Sequence, residues 1–202
     1  MGHNATDGLE GDLACRFAPV PSRSLFPTLH VRELCQRDTL KICSWVSTAE
    51  AVAMVSSDRA DSLSPCILRK WVSVAETSLV VARSGSEEPV GFCTLSCREL
   101  RRLPADYVEL CHLLVDPCAR HLFVGQRLSS GAKEIAHLAG YRFLCGRVIP
   151  GNRYSVLLAR HQRFSEFTGV ERWALPGFRW FRFALMGYSS HRSGTQVVRN
   201  SE

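Results

Sequence analysis

The chain has 202 residues, of which 46% are hydrophobic, so it can bury one sizeable core, and a single domain is expected. No run of about 18 apolar residues occurs, which argues against a membrane span. The net charge of +6 suits an anionic ligand, whereas binding of nucleic acid is supported by charge alone, without a basic run interleaved with aromatic residues.

The two ends of the chain differ in composition from its middle. Residues 1–27 mix Gly, Asp, Pro and Ser with little periodicity, which predicts a disordered arm. They also lack the basic start and apolar stretch of a secretory signal. Residues 187–202 are polar and predict a disordered tail. One folded domain is therefore expected over 28–186.

The first half of this domain predicts one strand, a group of helices and a hairpin. Apolar and polar residues alternate over 28–34, which predicts a strand. Candidate caps predict helices that begin at Asp38, at Ser47 or Thr48, and at Ser64-Pro65. Residues 78–82 and 90–95 predict two antiparallel strands joined by the turn at 84–89.

The second half predicts an α/β arrangement. The near-continuous apolar run at Tyr107–Val115 is typical of a central strand that is buried on both faces. The remaining predicted elements are a helix over 124–139 that ends at Gly140, a strand over 143–149, a helix over 152–163, and closing strands over 171–174 and 178–186. This order predicts a sheet of mixed direction.

The nine cysteines are scattered and form no CxxC pair or zinc-ligand spacing. Several lie at apolar positions of predicted strands and helices, where a free cysteine behaves as a small buried hydrophobe. The pattern favours a reducing cytoplasm without a structural metal, over a redox or zinc role.

The turn before the predicted helix at 124 is a candidate anion-binding site. Arg120, Gly125 and the unpaired N–H groups of a helix N-terminus can hold an anion such as a pyrophosphate. Arginine adds a permanent charge and bidentate donors. The alternative is an ordinary helix start with a surface arginine.

The element order and these residues resemble the GNAT acyltransferase superfamily over about residues 28–186. The family's signature is an Arg/Gln-x-x-Gly-x-Gly/Ala turn after its fourth strand, and Arg120–Gly125 falls in that register. Leu113–Pro117 is similar to the family's strand end, and Pro89–Phe92 to the start of its third strand. The family's downstream Asn-helix pattern falls on Asn152, Ser155, Leu158, Ala159, Arg163 and Phe164.

The resemblance implies a fold and a set of site residues. The fold would be a mixed, mostly antiparallel central sheet flanked by helices and splayed at the coenzyme-binding strand. Acetyl-CoA would be the co-substrate, without a metal. Leu113, Leu114 and Val115 would bind the pantetheine arm through their backbone, and Asn152 would contact it while capping its helix. The pyrophosphate would lie on Arg120, His121, Leu122, Phe123, Val124, Gly125 and Gln126.

Three residues depart from the family pattern. Phe123 replaces the middle glycine, so its side chain must turn away from the phosphates or weaken the site. Ala159 replaces a tyrosine that protonates the departing thiolate in many members, and Tyr154 is a candidate substitute one turn earlier. Arg163 replaces the glycine before Phe164, where a turn can be built otherwise.

Acyl transfer from a thioester needs a neutral amine, so a group in the site must accept a proton. Glu109 is the first candidate, because its place on the central strand is similar to that of the base glutamate in GNAT histone acetyltransferases. Burial there would favour its neutral form; the alternative is a solvated glutamate at the strand start. His112 is the second candidate, although a lone histidine in an apolar strand is more often a hydrogen-bonded core residue.

The sequence therefore predicts an N-acyltransferase that moves an acetyl group from acetyl-CoA to a primary amine by direct attack in a ternary complex. The alternative is a decayed binding module of the same fold, which Phe123 and Ala159 motivate. The amine acceptor is not identified, and its pocket would come from residues 45–70, 96–107 and 174–178. No membrane partner is expected, and a homodimer is left open.

Overall fold

A seven-stranded sheet organises the part of the chain that the computed structural model describes, which is residues 28–56, 58–97, 100, 103–149, 151–168 and 178–186. Its strands are β1 (Leu29–Glu33), β2 (Thr77–Arg83), β3 (Pro89–Ser96), β4 (Tyr107–Val115), β5 (Phe143–Val148), β6 (Ser165–Glu166) and β7 (Arg179–Ala184). Their order across the sheet is β1-β2-β3-β4-β5-β7-β6, so the predicted central strand β4 is central.

Helices cover both faces of this sheet. They are α1 (Thr39–Ser44), α2 (Ala49–Ala53), α3 (Pro65–Ser73), α4 (Val124–Leu138) and α5 (Arg153–His161), with 3-10 turns at Gln36–Asp38 and Pro117–Leu122. None of these helices has the length and apolar character that crossing a bilayer requires. The predicted elements are confirmed to within a few residues wherever they fall on described residues. The predicted arm, tail and strand at 171–174 lie outside them.

Among the described residues, the two largest of three hydrophobic core clusters lie on opposite faces of the sheet. On one face, α4 packs on strand residues; this core includes Val31, Val81, Val108, Leu128, Ala132 and Leu144. On the other face, α1 to α3 pack on β2, β3 and β4; that core includes Ile42, Val52, Leu68, Trp71, Phe92 and Leu114. Fully burying a valine, leucine, isoleucine or phenylalanine side chain contributes about 1.5–3 kcal/mol, so both clusters stabilise the sheet.

The sheet is mixed and mostly antiparallel, as predicted, and it opens between β4 and β5. This parallel pair is in register at Tyr107↔Phe143, Val108↔Leu144 and Glu109↔Cys145, while all the other neighbouring strands run antiparallel. Although β4 continues to Val115 and is described throughout, its pairing with β5 stops at Glu109. The splay predicted for the coenzyme-binding strand is therefore present.

A β-bulge lies on β4 just beyond the opening. Phe92 pairs with Leu114 and Thr94 with Cys111, so β4 has one more residue than β3 across this interval. His112 takes up the extra residue with a φ of +50°, in the left-handed region. A bulge of this kind bends its strand and redirects side chains, and bulges are over-represented next to active sites.

Most predicted helix caps are confirmed. The side chains of Thr48, Ser64 and Asn152 accept hydrogen bonds from N–H groups in the first turns of α2, α3 and α5. The prediction for Asp38 is wrong, because its side chain does not cap α1. Its carboxylate instead accepts hydrogen bonds from both terminal nitrogens of buried Arg32 and from the backbone of Cys35. A buried guanidinium is a stronger partner than a helix N–H group.

The eight cysteines in the described ranges are free thiols. Cys93, Cys111 and Cys145 are buried within strands, as predicted for small hydrophobic residues. Burial raises the pKa of all three thiols, which keeps them protonated.

Candidate active site

A cavity of about 540 Å³ lies where β4 and β5 part. We call it the splay cavity. The end of α2, α3, the strands β3, β4 and β5, and the start of α5 all contribute to its wall. Polar and apolar side chains share that wall about equally; the polar ones are Ser56, Asp58, Lys70, Thr94, Ser96, Glu109, His112, Arg147, Asn152 and Ser155.

Glu109 and Arg147 form an ion pair where the two strands separate. Glu109 is the last residue of β4 in register with β5, and its side chain is fully buried. Nε of Arg147, further along β5, lies 3.0 Å from Oε1 of Glu109. The guanidinium also lies near two aromatic rings, with Cζ 5.5 Å from the ring centre of Phe178 and 5.9 Å from that of Trp180. Pairing and aromatic contact together fix the position of Arg147.

His112 is held between a helix and a neighbouring strand. Its ring stacks on Trp71 of α3, with centroids 4.1 Å apart and planes 7° from parallel. Its Nδ1 lies 2.9 Å from Oγ1 of Thr94 on β3. Burial, followed by the charge of Arg147, lowers the pKa of His112 to about 4. The imidazole is therefore neutral at neutral pH.

Asp58 and Lys70 form a second ion pair in the wall of the splay cavity. The carboxylate of Asp58 accepts hydrogen bonds from Lys70, from Nε1 of Trp71 at 2.8 Å and from Oγ of Ser56 at 2.8 Å. The bonds from Lys70 and then from Trp71 lower the pKa of Asp58 to about 2. This network ties the segment after α2 to α3 and keeps Asp58 ionised.

The start of α4 meets both β4 and α5. A Cβ atom added to Gly125 would lie 3.3 Å from Cδ2 of Leu158 on α5 and 3.8 Å from Cδ2 of Leu113 on β4. Glycine therefore allows the first turn of α4 to approach both elements closely. Leu113 lines the splay cavity, so this turn and the cavity share one stretch of β4.

No protein-family model matches the chain, and no curated protein matches its sequence. Solved structures match its fold. A GNAT-family acetyltransferase from Staphylococcus aureus Mu50 is 13% identical, with a TM-score of 0.61 over 78% of this chain and 99% of that one. The spermidine N-acetyltransferase from Vibrio cholerae, solved in complex with CoA and spermine, is 16% identical, with a TM-score of 0.60 over 78% and 96%. The ribosomal-protein-S18-alanine N-acetyltransferase from Escherichia coli is 12% identical, with a TM-score of 0.53 over 77% and 91%.

The chain has the GNAT fold. At these identities the likeness is one of fold, and it agrees with the element order and the splay described above.

Four of the residues predicted for the GNAT site lie together in the splay cavity; they are Glu109, His112, Leu113 and Asn152. Asn152 accepts a hydrogen bond from the backbone of Ser155 and so fulfils its predicted role as a cap. The remaining predicted residues do not line this cavity. Leu114 is buried against α1 to α3, Val115 packs on the α4 side, and residues 120–126 form the turn and first residues of α4.

The departures from the GNAT pattern are accommodated in different ways. Phe123 has a φ of +56°, so it keeps a backbone conformation typical of glycine, and its side chain is 68% exposed. Arg163 likewise has a φ of +61°. Ala159 packs against the α4-side core, whereas Tyr154 is 86% exposed and is absent from the residues that line the splay cavity. Tyr154 is thus poorly placed to replace the missing tyrosine.

Sequence reasoning did not single out Arg147 as a site residue. Asp58 and Lys70 fall within residues 45–70, which were predicted to contribute to the acceptor pocket, and both line the splay cavity. Arg147 was detectable in part, because a lone arginine in an apolar strand needs a charged partner when it is buried.

Proposed function

We propose that the protein is an N-acyltransferase that moves an acetyl group from acetyl-CoA to a primary amine. The observation that carries this proposal is the opening of the sheet at Glu109, which leaves a cavity with a carboxylate in its wall and the α4 N-terminus beside the same strand. The Vibrio cholerae neighbour was solved with CoA and spermine, which supports a coenzyme A donor and an amine acceptor for this fold.

The coenzyme would lie along β4. Beyond Glu109 the backbone of this strand has no register with β5, so Leu113, Leu114 and Val115 can pair with the amides of a pantetheine arm as with an added strand. The first turn of α4 would hold the pyrophosphate, with exposed Arg120 as its counter-charge. Asn152, on the cavity wall, would lie near the thioester end.

The chemistry would be a direct attack. The amine nitrogen forms a bond to the thioester carbonyl carbon, and a backbone N–H near Val115 stabilises the negative oxygen. The C–S bond then breaks, and the amine loses one proton to the site. Coenzyme A leaves as a thiolate, which takes a proton from solvent, because Ala159 has no proton to give. No resident cofactor is needed to balance this reaction.

Glu109 remains the first candidate for the proton acceptor. Its carboxylate lies in the wall of the splay cavity and is paired with Arg147. His112 is the second candidate, since it is neutral at neutral pH, but its pKa of about 4 makes it a weak base.

The proposal is tested first by binding. Purified protein is titrated with acetyl-CoA and with free CoA by calorimetry, beside the variants Arg120→Ala and Gly125→Trp. We expect micromolar binding that both variants weaken by about tenfold or more. Arg69→Ala is the matched control, because Arg69 is exposed on α3 and does not line the splay cavity.

Turnover is then measured as release of free thiol with a panel of primary amines. Binding without turnover for any amine would favour the alternative of a decayed module, for which Ala159 still argues. The exposed side chain of Phe123 removes one reason for that alternative. An absence of binding at millimolar acetyl-CoA would contradict the proposed function altogether.

A further inference from the structure

The charged side chains of the splay cavity are paired with one another. The described part of the wall has four of them, which are Asp58, Lys70, Glu109 and Arg147. Asp58 pairs with Lys70, and Oε1 of Glu109 lies 3.0 Å from Nε of Arg147. His112 adds no charge at neutral pH, because burial, followed by Arg147, lowers its pKa to about 4. The described wall therefore has no net charge.

Each of these ion pairs presents both signs of charge within one contact. An ammonium group near Asp58 would also meet the ammonium group of Lys70, and a carboxylate near Lys70 would also meet Asp58. The same holds for Glu109 and Arg147. Attraction to one member of a pair is thus offset by repulsion from the other. The described wall does not select an acceptor that carries a second charge of either sign.

Apolar side chains form the rest of the wall near α2, α3 and the start of β7. Met54, at the C-cap of α2, is 38% exposed, and Phe178, just before β7, is 37% exposed. Both line the splay cavity, together with Val55 and Val74. An apolar group in the cavity would remove these side chains from water, which is favourable in proportion to the area covered.

We infer that the acceptor is a primary monoamine whose remaining part is uncharged and apolar, as in an alkylamine or an arylalkylamine, and that Met54 and Phe178 contact this part. The inference rests on the proposed function and names its substrate class. The two residues fall on the segments 45–70 and 174–178, from which the acceptor pocket is expected, whereas the coenzyme would lie along β4. A wall without net charge also favours the neutral amine that the attack requires, because burial disfavours an ammonium ion.

The test is a series of primary amines that share one reacting group. Propylamine, butylamine, pentylamine and hexylamine differ only in the number of methylene groups. 1,5-Diaminopentane and 5-aminopentanoate have about the length of hexylamine but end in a charged group. Turnover is measured as kcat/KM by thiol release with acetyl-CoA, and binding of each amine is measured by calorimetry without coenzyme.

We expect kcat/KM to rise by about fourfold for each added methylene, which is the effect of removing one such group from water. Hexylamine should exceed both charged compounds by at least about tenfold. A series of reacting amines without this rise, or a charged compound that reacts as well as hexylamine, would overturn the inference and leave the proposed function standing.

Variants of Met54 test whether the apolar part lies in the splay cavity. Met54→Ser should flatten the series by raising KM for the longer amines, with little change for propylamine, and Met54→Leu should preserve the rise. Leu40→Ser is the matched control, because Leu40 is 75% exposed on α1 and is absent from the residues that line the cavity. Melting curves establish that each variant is folded. A rise as steep in Met54→Ser as in wild type would overturn the inference.

A longer acyl chain on the coenzyme is the competing occupant of the apolar wall. Hexanoyl-CoA is therefore compared with acetyl-CoA at a fixed amine, and we expect no preference for it. A preference for hexanoyl-CoA that Met54→Ser removes would assign the wall to the acyl group and overturn the inference. Failure of acetyl-CoA to bind would contradict the proposed function. The calorimetry without coenzyme would still decide whether the cavity binds hexylamine more tightly than 1,5-diaminopentane.

Discussion

Glu109 on β4 and Arg147 on β5 are in contact at the point where their strands part, with Oε1 and Nε 3.0 Å apart. Both residues line the splay cavity; the Glu109 side chain is fully buried and that of Arg147 is partly exposed. The pair therefore links the interior of the sheet to the space in which we propose that acyl transfer takes place.

Replacing Glu109 with glutamine should lower kcat by about 100-fold or more and remove the acidic limb of the pH–rate profile, because the amine loses its proton acceptor. The measurement is kcat against pH for Glu109→Gln and for wild type. A role confined to holding Arg147 would instead raise KM and leave the shape of the profile intact. An unchanged profile would exclude Glu109 as the base.

The stability of the protein should fall on acidification because of His112. Its pKa in the folded protein is about 4, below the ordinary value of 6.5, so the unfolded chain binds more protons between these values. The contribution of neutral His112 to the free energy of unfolding is complete above pH 6.5 and decreases as the pH falls toward 4. Between pH 7 and 5 it amounts to about 2 kcal/mol.

Urea unfolding of wild type and His112→Asn at these two pH values measures this contribution. Asparagine tolerates the left-handed backbone at this position and does not titrate. We expect the loss of unfolding free energy on acidification to be smaller in the variant. An equal loss in both proteins would show that other groups cause it.

Lys133 should make the protein more stable as the pH rises above 8. This residue of α4 is 5% exposed, and its Nζ donates to the backbone oxygen of Gln162 at 2.7 Å and lies 3.9 Å from the ring centre of Phe183. Burial, followed by Arg163, lowers the pKa of Lys133 from 10.5 to about 8. The folded protein thus releases this proton first, and the cost of burying the charge disappears between pH 8 and 10.5.

The full effect is about 3 kcal/mol. It is measured as the change in unfolding free energy from pH 8 to pH 10 in wild type and in Lys133→Met, which keeps the apolar stem and does not titrate. We expect a rise in wild type relative to the variant. Parallel curves would mean that the ammonium group is satisfied well enough to keep an ordinary pKa.

Glycine at position 123 should be better tolerated than alanine. A left-handed backbone costs a residue with a Cβ about 1–2 kcal/mol, and Phe123 pays this cost with an exposed side chain. Phe123→Gly should therefore be about 1 kcal/mol more stable than Phe123→Ala in chemical unfolding. Leu138, exposed in the last turn of α4, is the control, because alanine should be the better of the two there.

Local features of this fold were predictable from the sequence, whereas the partnerships within its site were not. Thr48, Ser64 and Asn152 cap helices through bonds to residues three positions ahead, so a short window contains both partners. Arg147 and Glu109 meet only because α4 carries the chain across to a parallel strand. No pattern within β4 or β5 alone encodes that pairing.

The prediction for Asp38 failed for a related reason. An aspartate that caps a helix and one that pairs with a buried arginine look the same in the sequence. Asp38 pairs with Arg32 because the folded sheet places the Arg32 guanidinium beside it. The bulge at His112 could not be predicted either. In a nearly continuous apolar run, a shift of one residue in which side chains face which side of the sheet leaves the pattern unchanged. The signal that remained was His112 itself, a polar residue within that run.

The extra residue at His112 also reverses the alternation of side chains along β4, so that odd and even positions change faces at the bulge. Even-numbered positions pack toward α4 before the bulge and odd-numbered positions pack toward it afterwards; these are Val108 and Leu110, then Leu113 and Val115. The positions between them serve the other face, where Glu109 lines the cavity and Leu114 joins the second core. A change of one residue in the length of this strand would thus exchange core and cavity positions over half of it. The strand can vary in composition, but its length is fixed by two faces at once.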